Sequence, residues 1–128
     1  MVTVRHEPTS AGEVRRALSA DLRRRGLPAE VVDDAALLAS ELVGNAVRHA
    51  FPLPGGVLDV GWDVERDRVV LRVTDGGGRE APHVRDAGPR DVRGRGLAIV
   101  DSLAADWGVD RQENGTGPVS TVWAELPT

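Results

Sequence analysis

Three polar side chains, spaced four residues apart, stand near the end of a long helical pattern. They belong to the stretch Glu41-Leu42-Val43-Gly44-Asn45-Ala46-Val47-Arg48-His49-Ala50. Because residues four apart lie on one helix face, the Glu41 carboxylate, the Asn45 amide and the His49 imidazole point the same way. An apolar stripe runs into that face, formed by Val31, Ala35, Leu38 and Leu42. A buried amide without a partner costs on the order of 2–7 kcal/mol, so this face either meets a ligand or emerges into water.

A second carboxylate, that of Asp75, lies in line with an apolar row. The period of two in a strand places Asp75 on the face of three preceding residues, Val69, Leu71 and Val73. If Asp75 is buried there without a partner, its carboxyl group either becomes neutral or binds a donor. The alternative is that the strand has ended, and that Asp75 opens a turn through Gly76-Gly77-Gly78.

Glycines also precede a third helical pattern, which begins at Gly94-Arg95-Gly96-Leu97. Glycines at a helix N-terminus let backbone N–H groups approach an anion, and the helix dipole favours negative charge there. The segment before it, at about 79–93, has no periodicity and is long for a loop in a compact domain, which is typical of functional or disordered segments. Together these features favour a phosphate site under a lid; the alternative is that the glycines merely start a helix.

The N-terminal half is predicted to form two helices, the second of which carries Glu41, Asn45 and His49. An N-cap at Ser10, with Glu13 reaching back to it, is predicted to begin the first helix after a short strand at residues 2–4. Pro28 occupies a first-turn position of the second helix, which is predicted to run to about Ala50.

Alternating apolar and polar residues predict strands in the rest of the chain. One face of the first carries Leu58, Val60, Trp62 and Val64, and one face of the last carries Ser120, Val122, Ala124 and Leu126. The order β-α-α-β-β-loop-α-β-β predicts the α+β class, a two-layer α/β sandwich with a mostly antiparallel sheet covered on one face by helices. We expect the polar groups at the layer boundary to converge on one pocket: Glu41, Asn45, His49, Asp75, Ser120 and the helix start at Gly94–Gly96.

Composition narrows the function classes. The chain of 128 residues is expected to form a single domain, 1–128, with the lid loop at about 79–93. All 16 basic residues are arginine, which excludes a P-loop lysine or a Schiff-base lysine, and the absence of cysteine excludes a thiolate nucleophile. A net charge of −4 offers no footprint for nucleic acid. No apolar run is long enough for a membrane span, so we expect a soluble cytoplasmic protein. The arginine run at 23–25 is either a solvated last helical turn or a partner-binding patch.

Three stretches resemble the motifs of the GHKL (Bergerat-fold) ATPases and kinases. Residues 41–50 are similar to the N box, residues 75–78 to the first glycine box, and residues 94–97 to the second. The match covers nearly the whole chain, in order and at the family's spacing. It is most similar to small stand-alone anti-sigma factor serine-protein kinases, the regulatory ATP-binding proteins of actinobacteria, as the closing stretches 97–109 and 122–127 also indicate.

The resemblance implies a role for each polar residue of the N box. Glu41 would be the general base that activates a hydroxyl or a water, and Asn45 would hold the Mg²⁺ that bridges the ATP phosphates. For His49, helix packing and a phosphate-side contact both remain open.

The glycine boxes carry the remaining implied ATP-binding residues. Asp75 would accept a hydrogen bond from the adenine amino group, Gly77 would let the base lie close to the backbone, and the Ser120 hydroxyl would support the base site. The phosphates would meet the residues that begin the third helix, Gly94, Arg95, Gly96 and Leu97.

Three functions follow from the resemblance. The first is an anti-sigma factor serine/threonine protein kinase, acting in transcription regulation, which transfers the ATP γ-phosphate to an antagonist protein and sequesters a sigma factor. The second is a catalytically weak, nucleotide-dependent binding module that sequesters a regulatory partner. The third is an ATPase-type part of a larger machine. Relatives often pair through the face that carries the first helix and strand, so a homodimer is also implied.

Overall fold

The computed structural model describes residues 1–78, 95–115 and 117–128. Two expectations therefore lie outside the described residues: the lid loop at 79–93 and the phosphate contact of Gly94. The helices and strands are β1 (Val2–Arg5), α1 (Ser10–Arg24), α2 (Ala29–His49), β2 (Val57–Val64), β3 (Arg68–Asp75), α3 (Arg95–Leu103), β4 (Asp106–Asn114) and β5 (Gly117–Pro127). Their order is the predicted one. Among these described elements, no helix is long and apolar enough to cross a membrane.

Antiparallel pairing joins the described strands into a five-stranded sheet in the order β1-β2-β3-β5-β4. The three helices of the described chain pack together with this sheet, which confirms the α+β two-layer architecture. Alternation along the strands buries one face against the helices, as predicted; Leu58, Val60, Val69, Leu71, Val73, Ala124 and Leu126 all belong to the core.

The helix α2 is the central element of the helical layer, because it contacts α1, α3, β3 and β5. Of its predicted stripe, Ala35, Leu38 and Leu42 are buried, whereas Val31 is half-buried and its neighbour Val32 takes the core position. The small residues Ala36, Ala39 and Ala46 are buried as well, so the buried face of α2 is wider than the predicted stripe.

The start of α1 differs from the predicted capping box. Thr9 occupies the N-cap position, Ser10 is the first helical residue, and no side chain caps this fully described helix end. The Ser10 hydroxyl is buried and donates to the Arg5 carbonyl oxygen at 2.6 Å. The Ser10 hydroxyl therefore bonds to the end of β1, five residues earlier in the chain, and does not cap the helix as the local pattern predicted.

The tryptophans serve packing: Trp107 belongs to the hydrophobic core, and Trp62 packs against it. Trp62 donates from Nε1 to Asp21 Oδ2 at 2.8 Å, and this hydrogen bond is the first cause of the lowered pKa of Asp21. Trp123 lies over Gly108, where an added Cβ would come within 2.9 Å of the indole. Arg24 and Arg25 pair with the same Asp21 carboxylate, so this part of the arginine run lies in an ion-pair cluster at the end of α1.

Candidate functional site

The last residue of β3, Asp75, is a buried carboxylate with few partners. Its exposure is 4%, and its only hydrogen bond to a described residue comes from the Gly77 backbone N–H, at 2.8 Å from Oδ1. Burial raises the pKa of Asp75 to about 6, although the Gly77 hydrogen bond and the positive charges of His6 and Arg111 lower it. A carboxylate in this position can accept a hydrogen bond from a further donor.

Asp75 belongs to a row of three side chains across neighbouring strands. Asp75 on β3 lies opposite Ser120 on β5, and Ser120 lies opposite Arg111 on β4. Directly opposed residues share a face of the sheet, so all three lie on the helix-covered side. Ser120 is buried, whereas Arg111 is exposed at the edge strand. The row therefore passes from a buried acid through a hydroxyl to an exposed cation.

The turn after Asp75 is tied to the end of α2. The Phe51 N–H donates to the Gly77 carbonyl oxygen at 2.8 Å, and the Gly76 N–H donates to the Phe51 carbonyl oxygen at 2.7 Å. A Cβ at Gly76 would lie 2.2 Å from the Pro52 carbonyl oxygen, and Gly77 has a φ of +98°. Both positions thus require glycine, one for space and one for backbone conformation. This pairing fixes Asp75 relative to the helix that carries Glu41 and Asn45.

On α2, the three polar residues of the 41–50 stretch are in different environments. Glu41 and Asn45 are half-buried, and His49 is exposed. Asn45 Oδ1 accepts from the Arg48 guanidinium at 2.8 Å, while its Nδ2 is a buried nitrogen without a hydrogen-bond partner in the described part of the chain. Arg48 approaches closely over Gly44, where an added Cβ would meet its guanidinium at 3.0 Å. Because Arg48 is exposed and its side chain can shift, this contact does not by itself require a glycine at position 44.

Helix α3 begins with the predicted phosphate-side residues Arg95, Gly96 and Leu97. It packs against α2 and β4, and its Val100 is completely buried. The start of α3 therefore belongs to the same helical layer as Glu41 and Asn45. The structure brings Asp75 and Ser120 together directly and connects them through the 76–78 turn to the end of α2.

The described residues contain no cluster of three or more His, Asp or Glu side chains that could hold a metal ion alone. Mg²⁺ in phosphate-transfer sites typically uses one or two protein ligands together with phosphate oxygens and waters. Asn45 carries an amide oxygen, which is a ligand of the type that such a site uses; in this structure that oxygen accepts from Arg48.

Two residues near Asp75 were not singled out by the sequence patterns. His6 donates from Nε2 towards the Ala46 and Ala50 carbonyl oxygens, at 3.1 Å and 2.8 Å, and its charge acts on Asp75. Arg111 becomes visible only when the register of β4 against β5 is known. For His6 no local signal exists, because its partners are some forty residues away in the chain.

A groove on the helical layer lies apart from this site. It runs between α1 and α2, and its walls include Arg15, Arg16, Arg23 and Leu37. None of the predicted nucleotide-site residues lines it. The site is therefore defined by buried polar groups and not by that groove.

A family model described as "Histidine kinase-like ATPase domain" matches residues 4–122 of this chain. The serine-protein kinase RsbW of Listeria monocytogenes is 30% identical over 104 residues, an alignment that covers 72% of this chain and 66% of that protein. This chain thus spans a little less than two thirds of the length of that relative. A solved structure, the Acinetobacter baumannii histidine kinase AdeS, matches with a TM-score of 0.42 and 20% identity over 74% of this chain and 47% of that one.

Proposed function

Because the chain belongs to the histidine kinase-like ATPase domain family, we propose that it is an ATP-binding regulatory kinase of the cytoplasm. It transfers the γ-phosphate of ATP to a serine or threonine of an antagonist protein, and it sequesters a sigma factor. The similarity to the Listeria protein, a serine-protein kinase, supports this choice among the activities of the family.

The observation that carries the proposal is the buried carboxylate of Asp75, whose single hydrogen bond within the described chain comes from Gly77. The exocyclic amino group of adenine can donate a hydrogen bond to an ionised carboxylate. Guanine presents a carbonyl oxygen at the equivalent ring position, which the carboxylate would repel. Ser120, directly across the strand pair, adds a hydroxyl to the same base site.

On the phosphate side, Asn45 is the residue that would hold Mg²⁺, which supplies charge neutralisation between the phosphate groups. The Asn45 amide oxygen now accepts from Arg48, an exposed hydrogen bond that an anionic ligand can replace by giving the guanidinium a stronger partner. Arg95, Gly96 and Leu97, at the start of α3, supply the backbone N–H groups and the charge that meet the phosphates.

Glu41 has the role of general base towards the acceptor hydroxyl. It lies one helical turn before Asn45 on the same face of α2, and it makes no hydrogen bond or ion pair with any described residue. A carboxylate that is not engaged in structure is available to take the hydroxyl proton as phosphoryl transfer proceeds.

The test combines the purified protein with magnesium, labelled ATP and a candidate antagonist protein. We compare Glu41→Gln with Glu30→Gln, which changes an exposed glutamate in the first turn of the same helix. We expect transfer by wild type and Glu30→Gln, and a loss of at least about a hundredfold in Glu41→Gln with nucleotide binding retained.

The other outcomes separate the alternatives. Nucleotide binding by wild type without transfer indicates a binding module that uses ATP to set its shape for a partner. Release of free phosphate alone indicates an ATPase-type component. A wild-type protein that binds no adenine nucleotide contradicts the whole proposal.

A further inference from the structure

The N-terminal segment reaches the nucleotide site through one side chain. His6 follows β1, is half-buried, and is anchored by its own backbone N–H to the Gly56 carbonyl oxygen at 3.0 Å. Its Nε2 lies 3.1 Å from the Ala46 oxygen and 2.8 Å from the Ala50 oxygen. Carbonyl oxygens only accept hydrogen bonds, so Nε2 carries the proton and is shared between the two.

These two carbonyls mark the end of the helix that carries Glu41 and Asn45. Ala46 lies in the last turn of α2, and Ala50 is the residue that caps its C-terminus. A donor from an imidazole at this end is favoured by the helix dipole, more so when the ring is charged. His6 thereby ties the strand β1 to the end of α2.

The same helix end continues into the turn that follows Asp75. Ala50 pairs with Gly78 in an isolated antiparallel bridge, and Phe51 exchanges two backbone hydrogen bonds with Gly76 and Gly77. His6 is therefore connected to the turn that follows Asp75 through the backbone of residues 50 and 51. A positive charge on the His6 imidazole also lowers the pKa of Asp75.

We propose that His6 is a positioning residue of the nucleotide site. It holds the C-terminal end of α2 against the 75–78 turn, so that the Asp75 carboxylate is placed to contact the adenine ring. The inference rests on the proposed ATP site and adds to it a residue from outside the nucleotide-binding boxes. His6 acts through the backbone and through Asp75, and it does not touch the nucleotide. Among the described residues, the charged groups that act on Asp75 are His6 from the β1 side and Arg111 from β4.

Three variants test the role. His6→Leu removes the donor at similar volume, His6→Gln keeps a side-chain N–H donor without the positive charge, and Glu7→Gln changes the exposed neighbour as a matched control. Binding of a non-hydrolysable ATP analogue with Mg²⁺ is measured by calorimetry from pH 5.5 to 8. Amide hydrogen exchange at Phe51 and Gly76 is measured in nucleotide-free protein.

We expect His6→Leu to weaken nucleotide binding about tenfold and to speed exchange at both amides. His6→Gln should restore affinity at pH 7.5, while the midpoint of its affinity loss at low pH moves to higher pH, because Asp75 has lost a neighbouring positive charge. Comparing each variant with wild type at the same pH cancels the titration of the nucleotide itself. Glu7→Gln should behave as wild type.

Wild-type affinity and wild-type exchange in a folded His6→Leu protein would overturn the inference. If His6→Leu does not fold, an unmoved pH midpoint in His6→Gln overturns it instead. If wild type binds no nucleotide, the proposed function fails by itself, and the exchange comparison still decides whether His6 positions the turn.

Discussion

Asp75 and Ser120 lie directly opposite each other in the antiparallel pair of β3 and β5, and both side chains are buried on the helix-covered face. A carboxylate and a hydroxyl in a non-polar layer form a compact polar site whose geometry is set by backbone pairing. Pairing of β3 with β5, and of β5 with β4, sets the relative position of the two groups. In the proposed adenine site, these two groups would therefore be preorganised.

The first prediction concerns nucleotide binding in Asp75→Asn. An amide at this position presents an N–H donor or a neutral oxygen to the adenine amino group, so the charge-assisted hydrogen bond is lost. We expect ATP affinity to fall by at least about tenfold, since such bonds contribute about 1.5–3 kcal/mol. Calorimetric titration measures it, with Asp110→Asn on the exposed face of β4 as the control. Unchanged affinity in Asp75→Asn would remove the adenine assignment.

The second prediction concerns the stability of the same variant. The folded-state pKa of Asp75, about 6, lies above the ordinary value of 3.8. The folded state therefore holds this proton more tightly, and the stability linked to it is complete below about pH 4 and is lost as the pH rises through about 6. At pH 7.5, the ionised Asp75 in the nucleotide-free protein is destabilising by up to about 3 kcal/mol.

Asp75→Asn removes that cost, because an amide resembles the protonated acid and still accepts from the Gly77 N–H. We expect the variant to be more stable than wild type at pH 7.5, and the advantage to vanish near pH 4. Thermal or denaturant unfolding at the two pH values measures this. A variant that gains equally at both pH values would show that Asp75 does not titrate as described.

The third prediction concerns Asn45→Ala. The wild-type amide buries a nitrogen without a hydrogen-bond partner in the described chain, so its removal should change the free energy of unfolding by less than about 1 kcal/mol. Nucleotide binding should nevertheless lose its dependence on Mg²⁺. Titrations with and without the metal decide this, and an unchanged metal dependence would argue against Asn45 as the ligand.

The fourth prediction compares two glycine substitutions. Gly76→Ala places a Cβ 2.2 Å from the Pro52 carbonyl oxygen, whereas a Cβ at Gly61 meets nothing within 4 Å. We expect Gly76→Ala to destabilise by at least about 2 kcal/mol, because backbone must move to relieve the overlap. Gly61→Ala should stay within about 0.5 kcal/mol of wild type. Equal effects in urea unfolding would mean that the pairing of residues 50–52 with 76–78 is not rigid.

Local periodicity in the sequence predicts much of the fold. The period of two places Asp75 in line with Val69, Leu71 and Val73, and the burial of all four follows from the pleat of one strand. The helical period places Glu41 and Asn45 one turn apart on α2. Such predictions succeed because neighbouring residues in an element have fixed relative directions.

Details that compete with tertiary contacts are less predictable. Ser10 matches a helix N-cap in sequence. Its hydroxyl nevertheless donates to the Arg5 carbonyl oxygen, because the end of β1 lies beside it. Val31 and Val32 are both apolar neighbours on α2, and only packing against the rest of the core selects Val32 for burial. Where two local choices differ by little free energy, contacts from elsewhere in the chain decide between them.

The kinds of chemical groups, the direction in which each element presents them, and the order of helices and strands can all be predicted from the sequence. That Arg111 lies beside Ser120, that His6 contacts the end of α2, and that Gly76 lies against Pro52 is known from the folded structure alone. Strand register and helix docking join residues far apart in the chain, and local spacing does not predict which of them will meet.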